Sequence, residues 1–258
     1  MIYVCVPVKN DAATVGLLLW KIRQVLGQTT REYQLLVTDD GSSDETPEVL
    51  QRYQRALPLT VVRPAAPGNA AGYAALLEEA IQRSDRLKRD AAVLIPADFR
   101  ISPEGLPELV RRIESGADLA VAETPPEGLP LTWRVLRRLT PWLLRPGARV
   151  PGVQDFFSGC LAVRLATARG ALRARNGSPF LETEGLVCRA ELVARLAAAA
   201  RQTTAVPLPC LRTAIPATSG LLALALQLRR LGRTLRPPTT EAQASDAPPA
   251  PPARSRAS

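Results

Sequence analysis

The 258 residues contain no histidine. That removes imidazole as general base, as proton shuttle and as metal ligand. Aromatic residues make up only 4%, as three Trp, four Tyr and four Phe. They are too few for the aromatic interleaving of a nucleic-acid binder, and no nucleic-acid module is visible, so nucleic acid is not an expected partner. The four cysteines, Cys5, Cys160, Cys188 and Cys210, are far apart in the chain. They form no CxxC and no zinc-ligand spacing, and Cys5 lies in an apolar run, as a buried free thiol does. No glycine fingerprint follows the first apolar stretch, which argues against a nicotinamide or flavin enzyme, and GxxxxGK[ST] is missing too. Gly220 to Leu226 is far too short to span a bilayer. Met1-Ile2-Tyr3-Val4 has no basic n-region, so a secretory signal is not expected there and a cytoplasmic location is.

Hydrophobic residues make up 46% of the chain, enough for a sizeable core. Residues 1–128 carry 14 basic and 18 acidic side chains, whereas residues 129–258 carry 19 and 6. The second half therefore suits an anionic partner, and on charge alone nucleic acid and an anionic membrane surface are both candidates. Short apolar runs alternate with helical stripes over the first 120 or so residues. Strands are expected at Tyr3–Val6, Leu35–Val37, Thr60–Val62, Ala92–Ile95 and Leu119–Ala122. Strict β/α alternation predicts a mostly parallel sheet with helices on both faces.

Leu35 to Thr46 reads LLVTDDGSSDET. A buried strand runs into three acids, a glycine and two serines. Thr46 is expected to cap a helix with Pro47 at its first position. Ligands of open α/β sheets bind outside the carboxyl ends of strands, so this turn is a candidate site. A bland surface turn would use the same residues. Asp98 ends the fourth strand and would lie near Asp39 and Asp40 if those strands are neighbours. Taken alone, it reads equally as a turn acid.

Further on, Leu131 to Arg145 reads LTWRVLRRLTPWLLR. Trp133, Leu136, Leu139 and Leu143 share one face, with Arg134, Arg137 and Arg138 elsewhere and a kink expected at Pro141. A strand at Cys160–Val163, a helix over Glu182–Ala200, a strand near Ala205–Leu208 and a second basic helix over Leu221–Leu235 follow. From Pro237 to Ser258 the chain is rich in Pro, Ala, Ser and Thr, and disorder is expected.

These motifs together resemble the family 2 GT-A glycosyltransferases, most closely the dolichol-phosphate mannosyltransferase-like branch that acts on polyprenyl phosphates. The resemblance covers roughly residues 1–235. Val6-Pro7-Val8-Lys9-Asn10-Asp11 looks like the family's first loop, and Val37 to Thr46 matches its DDGSxDxT segment. Gly68 to Leu76 looks like its N-x-G-x-x-x-A-L stretch, and Asp155-Phe156-Phe157-Ser158-Gly159 matches D-x-x-S-G. The resemblance implies a Rossmann-like GT-A domain. Residues 1–128 would form its nucleotide-sugar half and residues 129–236 its acceptor half, with basic amphipathic interfacial helices and a disordered tail at 237–258.

It further implies that Pro7, Asn10 or Asp11, and Asp39 line the base and ribose of a UDP- or GDP-linked donor. Asp40, with Gly41 and Ser42, would lie near the ribose and diphosphate. Asp98 would be the second acid of a metal-binding D-x-D holding Mg²⁺ or Mn²⁺, and a catalytic residue with Asp155 and Glu184. Ser158 would sit by the acceptor phosphate, and Arg212 could pair with it. The implied protein is a peripheral enzyme on the inner face of the cell membrane. One departure stands out: the D-x-D is Pro96-Ala97-Asp98, so its first acid is missing. Donor phosphates and water could complete a Mg²⁺ shell around Asp98. The alternative is a non-catalytic or weakly active GT-A-like protein that binds a nucleotide sugar.

Overall fold

The computed structural model describes residues 1–127, 129–209 and 220–235. Cys210, Arg212 and the tail expected from 237 onward lie outside the described residues. The elements run β1 (Ile2–Val8), α1 (Ala12–Leu26), β2 (Tyr33–Asp39), α2 (Thr46–Gln54), β3 (Leu59–Val62), α3 (Asn69–Arg83) and β4 (Ala91–Leu94). They continue with α4 (Leu106–Glu114), β5 (Leu119–Glu123), α5 (Leu131–Leu143), β6 (Leu161–Arg164), α6 (Leu165–Arg173), α7 (Gly185–Ala199), β7 (Thr203–Pro207) and α8 (Leu221–Thr234). The sheet order is β3-β2-β1-β4-β6-β5-β7. All pairings are parallel except those of β6, which runs antiparallel to β4 and β5. The sheet is the expected mostly parallel α/β one. The two sequence halves share it, because β6 of the second lies between β4 and β5 of the first.

The alternation of β1 explains the two layers. Tyr3 and Cys5 point into a core with α3, α6 and α7, while Ile2, Val4, Val6 and Val8 point into a second core with α1 and α4. Both faces are covered, so the strand is apolar at nearly every position. Its leucine-class neighbours are fully buried, each worth about 1.5–3 kcal/mol. The thiols of Cys5, Cys160 and Cys188 are free and buried. Burial pushes those of Cys160 and Cys188 up to about 12, so they stay protonated and inert.

Several local expectations are corrected. Thr46 does not cap α2; Glu45 precedes the helix without a capping bond, and Thr46 Oγ1 accepts from the Asp11 N–H at 3.0 Å instead. The helix expected from Glu182 begins at Gly185, because buried Glu191 accepts from the N–H groups of Glu182 and Thr183 and holds them extended. Helix α6 was not expected. Pro141 lies inside α5, where a helix was expected, and offers no N–H to the carbonyl of Arg137. The larger correction concerns which way α5 faces. Trp133, Leu136 and Leu143 are buried core residues, and Arg137 is buried as well. The exposed apolar positions are Leu131, Val135, Leu139 and Trp142 of α5, with Leu222 and Leu226 of α8, the helix packed beside it. No helix among the described residues is long and apolar enough to cross a membrane.

Candidate active site

One edge of the sheet collects nearly every residue singled out from the sequence. The carboxyl ends of β1, β2 and β4 open there. Because β6 is antiparallel, with Leu161 opposite Leu94, the residues preceding it reach the same edge.

The loop after β1 and the turn after β2 are joined through side-chain bonds to the backbone. Asn10, at φ 55°, donates its N–H to Ser42 Oγ at 2.8 Å and accepts at Oδ1 from the Ser43 N–H at 2.8 Å. Asp44 Oδ2 accepts from the Ala12 N–H at 3.1 Å, and the Asp40 N–H reaches the Val8 carbonyl at 3.0 Å. Asp39 Oδ1 accepts from both the N–H (2.9 Å) and the hydroxyl (2.6 Å) of Ser42. Its Oδ2 makes no hydrogen bond among the described residues. Pro7 lies inside β1 opposite Thr38, half-buried, and Gly41 sits at the tip of the turn. Side-chain bonds to the backbone thus tie the loop after β1 to the turn after β2, with Pro7 and Asp39 at the strand ends.

Asp40 Oδ2 pairs with Lys9 Nζ at 2.9 Å, and its Oδ1 accepts from the Gly68 N–H. Burial opposes ionisation, but these partners outweigh it and hold the Asp40 carboxyl below its usual range. Glu184 occupies the same helix start: its Oε2 accepts from the Asn69 N–H at 2.8 Å. A Cβ at Gly68, which has φ +109°, would lie 2.5 Å from Glu184 Oε1. Two carboxylates thus cap the positive end of α3, as an external anion would. The structure places Glu184 as a brace between α3 and α7, not beside Asp98.

Asp98 follows β4, which β1 separates from β2 and the Asp39–Asp40 turn. Its carboxylate neighbour is Asp11. Burial raises the pKa of Asp11; the Lys9 N–H opposes this, Asp98 and Asp44 reinforce it, and Arg189 opposes it. Asp98 Oδ1 accepts from the Arg100 N–H at 3.1 Å, and its Oδ2 lies 3.7 Å from the guanidinium of Arg189 on α7. Arg189 was not singled out from the sequence. An arginine on a helix reads there as a solvated charge, and its partner is far away in the chain. No cluster of three or more carboxylate, thiol or imidazole groups able to hold a metal is found among the described residues. Pro96 supplies no ligand, and both oxygens of Asp98 already face N–H groups. This donor set does not fit a D-x-D metal site.

A second cleft is lined by Arg100, Thr124, Trp133, Arg137, Asp155 and Ser158. Buried Asp155 accepts from the Thr124 N–H at 3.2 Å and hydroxyl at 2.5 Å, and from the Phe157 N–H at 3.0 Å. Arg137 lies 3.3 Å from it and donates twice to the Thr124 carbonyl at 3.0 Å. Asp155 is therefore fully engaged. Ser158 Oγ makes only long contacts, at 3.4 Å, with the backbone of Cys160. Trp133 stacks edge-on against Phe157, with centroids 5.5 Å apart.

The model of the family described as "Glycosyl transferase family 2" matches residues 3–170. An undecaprenyl-phosphate 4-deoxy-4-formamido-L-arabinose transferase of Pseudomonas paraeruginosa is 29% identical over 190 residues, covering 70% of this chain and 52% of that protein. The transferase of the same name from Photorhabdus laumondii is 28% identical over 116 residues, or 45% and 34%. The chain thus spans about half, or less, of the length of the curated relatives it matches. Among solved structures, glucosyl-3-phosphoglycerate synthase of Mycobacterium tuberculosis with UDP superposes at a TM-score of 0.64. It is 19% identical, covering 90% of this chain and 80% of that one. The same enzyme has been solved with Mn²⁺, UDP-glucose and phosphoglyceric acid, at a TM-score of 0.62 and 22% identity, covering 91% and 78%.

Proposed function

The chain belongs to glycosyl transferase family 2, and from that premise we propose that it moves a sugar from a nucleotide sugar to a polyprenyl phosphate at a membrane surface. The donor's base and ribose lie on the rim of Pro7, Asn10, Asp11 and Asp39, where Asp39 Oδ2 accepts a base N–H. The diphosphate lies toward Lys9, Gly41, Ser42 and Asp98. UDP in the solved neighbours and undecaprenyl phosphate in the names of the sequence relatives support these two substrate classes.

A phosphate oxygen of the acceptor attacks the anomeric carbon, a new C–O bond forms, and the bond to the nucleoside diphosphate breaks with its electron pair. The acceptor is already an anion, so a chain without histidine needs no strong base. Ser158 lines the acceptor cleft, and Arg100, two residues beyond Asp98, lines it at the donor end. Arg212, outside the described residues, stays in this reading as a further phosphate partner. Asp155 and Glu184 position the site's walls.

The exposed face of α5 and α8 carries the lipid part of the reading. Leu131 is 75% exposed, Trp142 58% and Leu222 77%, and the exposed Arg134, Arg138, Arg230 and Arg233 lie on the same two helices. Trp142 stacks under Arg229 at 5.3 Å. Such a surface suits the headgroup boundary of an anionic membrane, about 1 kcal/mol per arginine. The opposite side of α5 lines the acceptor cleft, so a lipid phosphate in the membrane plane has a short path to it. The location that follows is peripheral, on the inner face of the cell membrane. A donor-binding protein without turnover is the second reading, and Pro96 favours it. Incubation with labelled UDP- and GDP-sugars and polyprenyl phosphate in anionic vesicles separates the two. Label in the organic phase supports transfer; donor binding with no label transferred selects the second reading.

A further inference from the structure

Resting on the donor-site reading above, we propose that the guanidinium of Arg189, assisted by that of Arg100, takes the place of a divalent cation at the donor diphosphate, so that donor binding by this chain is metal-independent. Two side chains set this up together. Pro96 removes one carboxylate from the expected cation site, and Arg189 supplies a positive charge 3.7 Å from the one that is left. Two carboxylates around a divalent ion are neutral as a group; Asp98 and its neighbour Asp11 set against the guanidinium groups of Arg189 and Arg100 are neutral as well. A divalent ion added at Asp98 would sit against a fixed cation that cannot lose its proton.

Packing ties the two changes to one another. A Cβ at Gly159 would lie 2.9 Å from Pro96 Cγ and 3.0 Å from Arg189 Nε. Gly159 has φ +69°. The proline ring and the arginine stem therefore lie against the same bare backbone. Arg189 NH1 donates to the Phe157 carbonyl at 3.1 Å, which anchors the guanidinium, and the buried phenol of Tyr73 lies within the field of both Arg189 and Asp98. At 3.7 Å the contact with Asp98 is an ion pair and not a hydrogen bond, so it orients the guanidinium without saturating it. Arg100, two residues beyond Asp98, lines the acceptor cleft and has no ion-pair partner among the described residues. Guanidinium groups match phosphate oxygens in pairs, so a diphosphate bridging these two arginines is held in a defined orientation. As the bond to the sugar breaks, charge grows on the β-phosphate, where these groups stabilise it.

Isothermal calorimetry of UDP and GDP on the whole chain, in EDTA and in Mn²⁺, tests this without any turnover. The affinity of the preferred nucleotide should agree in the two buffers within about twofold. Arg189→Gln should weaken it by about 10- to 100-fold, the usual effect of removing a charged hydrogen-bond donor, and Arg189→Lys by less. Binding lost in EDTA and restored by Mn²⁺ overturns the proposal and leaves the donor site standing; the wild-type titrations decide this whatever the variants' stability. Unchanged affinity in a folded Arg189→Gln protein also overturns it. No binding of either nucleotide in either buffer overturns the donor-site reading and the proposal with it.

Discussion

Replacing Asp155 with Asn should destabilise the chain before it affects chemistry. The carboxylate accepts three hydrogen bonds, from the Thr124 N–H, the Thr124 hydroxyl and the Phe157 N–H, and lies 3.3 Å from Arg137. The side chains of Asp155 and Arg137 are only 4% and 10% exposed, so solvent screens the pair little. An asparagine presents one oxygen and one NH₂ to neighbours that mostly donate, so at least one donor is left facing another. Breaking a buried pair costs about 3–5 kcal/mol. The lower end applies here, because Arg137 keeps its two bonds to the Thr124 carbonyl. At about 2–4 °C per kcal/mol for a chain of this size, 3 kcal/mol lowers the melting temperature by about 6–12 °C. Urea unfolding of Asp155→Asn, Arg137→Met and the double variant measures it, and the double variant should lose less than the two single losses added. A single variant within 1 kcal/mol of wild type, yet unable to transfer sugar, would make Asp155 a reacting group and refute the bracing role.

Three further outcomes follow. Ser at Leu139, Trp142 and Leu226 should reduce co-sedimentation with anionic vesicles at low salt and leave nucleotide affinity unchanged; equal vesicle binding would remove the α5–α8 face as the membrane contact. Trp133→Ser should instead unfold the region, since the ring is buried against Phe157, with a loss of about 3–5 kcal/mol in urea unfolding. Asp11→Asn keeps an acceptor for the Lys9 N–H but removes a carboxylate whose pKa burial raises. Well below the ordinary Asp value, at about pH 2.5, the wild-type side chain is protonated in both folded and unfolded states and carries no penalty. The penalty sets in as pH rises past the unfolded value and is complete above the raised folded one, so thermal melts should show the variant ahead at pH 7 and level at about pH 2.5. A gap independent of pH would contradict this.

The acidic turn and the β/α alternation were legible because both are local. A run such as Asp39 to Thr46 carries its own turn chemistry, and each strand of the parallel sheet is a short apolar block. What the residues could not tell was facing. Helix α5 is apolar along two lines, Trp133-Leu136-Leu143 and Leu131-Val135-Leu139-Trp142, so periodicity alone cannot say which meets the core. Arg137 read as solvated because a charge is exposed by default, and only the fold brings Asp155 to it. Helix α6 gave little signal because its inward positions include Ala168 and Ala171 beside Leu165. The assignment of Asp98 to the vicinity of Asp39 and Asp40 depended on strand order, which sequence does not contain. Arg189 was invisible for the same reason: its contact with Asp98 exists only once the fold brings α7 to the loop after β4.

The most direct test sets two acceptors against each other with one labelled donor. Polyprenyl phosphate in anionic vesicles and soluble 3-phosphoglycerate, whose acid is bound in the M. tuberculosis neighbour, are offered at equal phosphate concentration with each UDP- and GDP-sugar. The predicted result is label in an organic-extractable glycosyl phosphoprenol, with the soluble phosphate left unmodified. Label on the soluble acceptor alone would contradict the assignment of a lipid phosphate to the cleft beneath α5.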